Sequence, residues 1–93
     1  MEFVWDTEKA LKNYRKHGVS FNEAATVFDD PLSITVADPA HSEDEERYII
    51  VGMSKRRRLL IVSHAERGNR IRIISARELD RDEREEYETG NFG

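Results

Sequence analysis

Hydrophobic residues recur along this chain in two different rhythms, one helical and one of strands. The segment Glu2-Phe3-Val4-Trp5 is short and apolar, and reads as a strand. From about Thr7 to His17 the apolar residues are Ala10, Leu11 and Tyr14, one stripe on a charged helix. Asp6 suits its N-cap and Gly18 its left-handed end. Ser20 and Glu23 have the spacing of a capping box, and open a second helix carrying Phe21, Ala24, Ala25, Val27 and Phe28. Pro31 disfavours helix at Asp30. Beyond it the period shortens to two. Leu32–Val36, Arg47–Met53, Arg58–Ala65 and Arg70–Ala76 read as strands, the last three joined by short polar links that imply antiparallel neighbours. Asp80 and Glu83 form a second capping box, heading a helix from about Arg81 to Glu88. The order strand, helix, helix, four strands, helix predicts an α+β domain: a mostly antiparallel sheet with two N-terminal helices and one C-terminal helix, segregated to one side or end.

Alternation also sorts side chains on the last two strands. In the simplest register one face carries Leu60, Val62, His64, Ile71, Ile73, Ser75 and Arg77. The other carries Leu59, Ile61, Ser63, Ala65, Arg70, Arg72, Ile74 and Ala76. The first set reads as the core, with His64 and Arg77 near its exposed margin, and the second as a groove edged with arginine. A slip of one residue would exchange one strand's set.

Length and composition narrow the class. Ninety-three residues make one domain, and the absence of cysteine excludes disulfides and thiolate metal sites. No apolar run is long enough to span a membrane, and the acidic start does not read as a secretory signal, so a cytoplasmic location is expected. The net charge of −4 argues against a polyanion partner until it is divided. Residues 1–46 have a net charge of −7, residues 47–77 of +8, and residues 78–93 of −5. The basic block falls on the strand hairpin, which reads either as a nucleic-acid footprint or as a segment neutralised by the acidic arms.

Several pieces together resemble the BrnT family of bacterial toxins: Trp5-Asp6, Lys9, Asn13, Lys16-His17-Gly18-Val19, Phe21, Ala24, Phe28, Asp38, Glu46-Arg47, Gly52-Met53-Ser54, Leu59 to His64, and Ile71-Arg72-Ile73-Ile74-Ser75-Ala76-Arg77. The resemblance implies a RelE-like fold. It also implies a metal-independent endoribonuclease that blocks translation, needs no cofactor, and is neutralised by a BrnA-type antitoxin. That antitoxin would bind operator DNA through a ribbon-helix-helix dimer, so DNA would be met only indirectly. The alternative is a toxin fold that docks an antitoxin or nucleic acid without catalysis. RelE-type toxins are usually basic, and the acidic last helix departs from that pattern.

Metal-independent cleavage attacks phosphorus with the neighbouring 2′-hydroxyl. It needs a base, cations on the phosphate oxygens, and an acid for the departing 5′-oxygen. Histidine suits the proton transfers and arginine the phosphate. The candidate catalytic residues are therefore His64, Arg72, Arg77 and His17, with Lys9, Lys16, Arg70 and Trp5 as substrate-binding residues. Each has a plainer reading. His64 reads equally as a core histidine, His17 as a cation on a helix C-terminus, and Arg77 as glue for the acids of the last helix. Arg72 reads as an exposed ion pair, Trp5 as core, Arg56–Arg58 as a soluble turn, and His41 as a loop residue. No metal site is expected, since Glu43 to Glu46 read as solvent-facing.

Overall fold

The computed structural model describes residues 1–38 and 45–92. His41, Glu43 and Asp44 lie outside the described residues. Elements run β1 (Glu2–Val4), α1 (Thr7–His17), α2 (Phe21–Thr26), a 3-10 turn (Val27–Asp29), β2 (Ile34–Ala37), β3 (Arg47–Met53), β4 (Leu59–Arg67), β5 (Arg70–Glu78) and α3 (Arg81–Glu88). The five strands form one sheet in the order β1-β5-β4-β3-β2. All neighbours are antiparallel except β1, which adds to β5 in parallel.

Local chemistry sets the helix ends. The Asp6 carboxylate accepts from the Lys9 amide at 3.0 Å, and Gly18 closes α1 at φ 70°. Glu8 lies in the first turn and Arg15, Lys16 and His17 in the last, which matches the helix dipole. The Ser20 hydroxyl caps α2 by accepting from the Glu23 amide at 3.0 Å. The reciprocal half of that expected box is not made. Glu23 turns inward instead, where it accepts from the Ser54 hydroxyl at 2.7 Å and from Arg58 Nε at 3.0 Å. Arg58 holds the Glu23 carboxyl below the usual carboxylate range. Within the cluster Arg56–Arg58, Arg58 is thus structural, and it also donates to the Gly18 carbonyl. At α3 both halves of the Asp80–Glu83 box are present.

The core lies between one face of the sheet and α1 and α2. Phe21, Ala24 and Val27 pack on Ile50, Leu60, Val62, Ile73 and Ala76, with Phe3, Trp5 and Phe28 beside them. Trp5 meets Phe21 edge-on at 6.0 Å. This indole is core packing, and it does not line the candidate groove. The third helix goes elsewhere. Glu83 pairs with Arg77 of β5, and the Tyr87 hydroxyl donates to the Leu32 carbonyl at 3.1 Å. It bridges the sheet from β5 to the segment before β2, on the side to which Arg77 points. Of the expected segregation to one side or end, the one-side form does not hold, because α3 pairs with Arg77 on the face opposite α1 and α2.

The register contains one irregularity. Ser63 pairs with Ser75 and His64 with Ile73, which leaves Ile74 unpaired as a β-bulge. An extra residue on one strand reverses its alternation beyond that point. Ala76 therefore enters the core at 1% exposure, and Ser75 and Arg77 turn to the opposite face. The sequence expectation had these three the other way round.

Candidate functional site

The face opposite the core is paved by cross-strand neighbours. Ile49, Ser63 and Ser75 form one row, and Val51, Ile61 and Arg77 the next. Over this floor lies an open cleft of about 360 Å³, lined by Lys16, His17, Ile49, Ile61, Ser63, Ser75, Ala76 and Arg77. The two basic residues from α1 reach it because of Asn13. β1 covers only Arg70–Arg72 of β5, so the backbone at Ala76 faces an open edge. The Asn13 side chain fills that edge as a third partner would. Its Nδ2 donates to the carbonyls of Ala76 (2.8 Å) and Val19 (3.0 Å), and its Oδ1 accepts from the Ala76 amide (3.1 Å). Asn13 is only 7% exposed. These bonds fix the end of α1 beside Ser75 and Arg77.

Arg77 is held across the cleft mouth by α3. Its two terminal nitrogens donate to Glu83 at 2.7 and 2.9 Å, a forked pair. The paired guanidinium pulls the Glu83 carboxyl down to about 2, against the opposing effect of burial, with help from the Asp80 amide. The same pair raises Arg77. A carboxylate with a depressed folded-state pKa contributes stability that is complete above its unfolded value near 4.5 and is lost as pH falls toward 2. Glu83→Gln should therefore lower the melting temperature at pH 7, and the gap to the parent should close between pH 4.5 and 2. Melting curves across that range check this; a gap that persists at pH 2 would mean the pair is not its source.

The expected site residues separate into three groups. Lys16, His17 and Arg77 meet in the cleft. Arg72 and Arg70 share its face but line a second, smaller cleft nearer β1. Arg72 donates to Glu45, and Arg70 Nε donates to Glu2 Oε1 at 2.8 Å. Lys9 stands exposed in the first turn of α1 and lines neither cleft.

His64 belongs to the other face, which corrects its expected place at an exposed margin. It is 0% exposed. Phe28 meets it edge-on at 4.8 Å and Tyr48 stacks on it at 5.8 Å. Nε2 lies 3.2 Å from Glu66 Oε2, and Nδ1 is buried with no hydrogen-bond partner among the described residues. The whole sheet separates it from Arg72 and Arg77.

Sequence reasoning placed Ser63 on the groove face without naming it as a site residue, and it missed Ser75. The available signal was Ser75 and Arg77 themselves, two polar side chains ending a face otherwise assigned to the core.

Fold and cleft together define a class: a small α+β domain whose sheet face opposite the core carries a cationic cleft. The same fold occurs in the crystal structure of the ribonuclease toxin BrnT of Brucella abortus. That structure superposes with a TM-score of 0.65 at 20% identity, covering 87% of this chain and 99% of the other. No curated protein matches the sequence. The sequence profile of the family described as "ribonuclease toxin, BrnT, of type II toxin-antitoxin system" matches residues 5–83, and the chain belongs to that family.

Proposed function

We propose that this chain is a RelE-like, metal-independent endoribonuclease of the cytoplasm that blocks translation by cutting RNA at the Lys16–His17–Arg77 cleft. A BrnA-type antitoxin, itself the DNA-binding ribbon-helix-helix partner, would hold it inactive. One observation carries the assignment of the site. The bulge at Ile74 turns Arg77 and Ser75 onto the face where α1 delivers Lys16 and His17.

In this reading the 2′-hydroxyl attacks the adjacent phosphorus. The P–O2′ bond forms, the P–O5′ bond breaks, and a cyclic phosphate and a 5′-hydroxyl leave. Arg77 grips two non-bridging oxygens through its fork, and Lys16 adds a point charge. The hydroxyls of Ser63 and Ser75 are donors for the remaining oxygens. Among the described residues His17 is the one imidazole lining the cleft, and it takes the 2′-hydroxyl proton and returns a proton to the departing 5′-oxygen. His64, sealed on the far face, is left out of the machinery.

The Arg77–Glu83 pair favours a second reading, a docking module without catalysis, because α3 already occupies the best phosphate ligand. Induction of the isolated chain separates the two. Cellular RNA cut at mapped positions supports the enzyme. Intact RNA and undisturbed growth, from soluble folded protein, would leave only the docking module.

A further inference from the structure

The sheet face opposite the core carries its second cleft at the turn end of the β4–β5 hairpin. It measures about 170 Å³ and is lined by Val4, Glu45, Ala65, Arg67, Arg70 and Arg72. We propose that this cleft is a second phosphate subsite, which holds the RNA strand two or more nucleotides away from the bond at the Lys16–His17–Arg77 cleft. The inference rests on the ribonuclease reading for its substrate class, and it adds the length of strand the protein engages.

Register puts both clefts on one surface. Ala65 pairs with Arg72, Ser63 with Ser75 and Ile61 with Arg77, so these side chains share a face. From Arg72 to Arg77 there are four paired steps once the bulged Ile74 is set aside, or about 13 Å. A stacked strand advances roughly 3.4 Å per nucleotide, so about four stacked nucleotides, or fewer extended ones, bridge the clefts.

The cationic arrangement is poor for folding and good for an anion. Arg67 and Arg70 stand directly opposite each other across the two-residue turn Gly68–Asn69. Like charges in that relation destabilise a hairpin. Among the described residues no carboxylate pairs with Arg67. Arg70 has only Glu2, and with side chains 68% and 60% exposed that pair is readily exchanged for another anion. The firmer neutraliser is Glu45. Its carboxylate accepts from Arg72 and, at 3.1 Å, from Arg47, and these arginines hold it below the usual carboxylate range. It supplies acceptor oxygens where a phosphate would. Val4 and Ala65 give the cleft an apolar floor without base-reading groups, so the subsite grips backbone and leaves sequence preference to the first cleft.

The test uses the full chain and non-cleavable 2′-O-methyl RNA oligonucleotides of two to eight nucleotides. The parent should bind with an affinity that rises about tenfold between two and five nucleotides, and more steeply at low salt. Arg67→Ala/Arg70→Ala changes two exposed turn residues, and its fold is checked by circular dichroism. It should remove the rise and flatten the salt dependence of log K by about 0.7, the value for one phosphate no longer neutralised. Glu45→Gln should tighten binding of the longer probes. Affinity independent of length, or a rise that survives the double substitution, would overturn the subsite. So would a double variant that binds RNA normally but loses polyglutamate, since the patch would then be a protein-docking surface. A parallel assay with cleavable RNA separates the two claims. Cleavage without length-dependent binding sinks the subsite alone, and length-dependent binding without cleavage sinks the ribonuclease reading alone.

Discussion

Replacing Arg77 with alanine is expected to slow RNA cleavage by about 100-fold or more, the usual cost of removing one preorganised group that meets developing charge in a transition state. Among the described residues Arg77 is the only guanidinium lining the larger cleft, where Lys16 and His17 are the other basic groups. Its fork already shows the required geometry, because it engages both oxygens of Glu83 in parallel. A phosphate would take the place of that carboxylate. Arg77→Lys should recover only part of the rate, since a point charge lacks the fork. The substitution also cuts the tie to α3, and Glu83→Gln controls for this by weakening the same tie while keeping the arginine. Single-turnover cleavage of a short RNA by all three variants gives the answer. If Arg77→Ala falls no further than Glu83→Gln, the arginine is structural glue and its assignment to the phosphate fails.

Asn13→Ala should be the most destabilising single change at the cleft, by about 3 kcal/mol, or on the order of 15 °C in Tm. The substitution deletes three buried hydrogen bonds and leaves the Ala76 amide, the Ala76 carbonyl and the Val19 carbonyl to find new partners. An unsatisfied buried amide costs more than the net worth of the bond it lost. Asn13→Asp tests the same point with nearly the same shape, because a carboxylate cannot donate to either carbonyl. Thermal and urea unfolding check both. A loss under about 1 kcal/mol would mean that water replaces the side chain at this edge, and that Asn13 does not hold α1 in place.

Much of the fold was legible because each element carries its own local signals. The limits of α1, β3 and α3 follow from Asp6 and Gly18, from the apolar run within Arg47–Met53 between polar links, and from the Asp80–Glu83 box. What was hidden lies in tertiary register. Nothing in Ile71–Arg77 announces that Ile74 will be skipped, yet that one residue decides which side of the sheet Ser75, Ala76 and Arg77 occupy. The capping role of Glu23 was misjudged for a similar reason. Spacing places it where it could reach back to Ser20, and only the packed structure brings Arg58 and Ser54, more than thirty residues away, to outbid that bond. Charge was legible only by segment. The basic hairpin does carry the clefts, and the acidic last helix does meet an arginine of the candidate site, Arg77.

His64 shows why strand position is a weak guide to chemistry. It ends the run Leu59 to His64 in the family resemblance, and it lies near the basic hairpin in sequence. In the fold, parity sends it inward against Phe28 and Tyr48, while His17 reaches the opposite face from the end of a helix. The two histidines therefore offer a direct comparison. The measurement is the rate at which purified His17→Ala and His64→Phe variants, each confirmed as folded, cut an RNA that the parent cuts. The structure-based account predicts that His17→Ala loses most of the activity and His64→Phe keeps it. Retained cleavage in His17→Ala together with its loss in a folded His64→Phe would contradict the placement of the site on the face opposite the core.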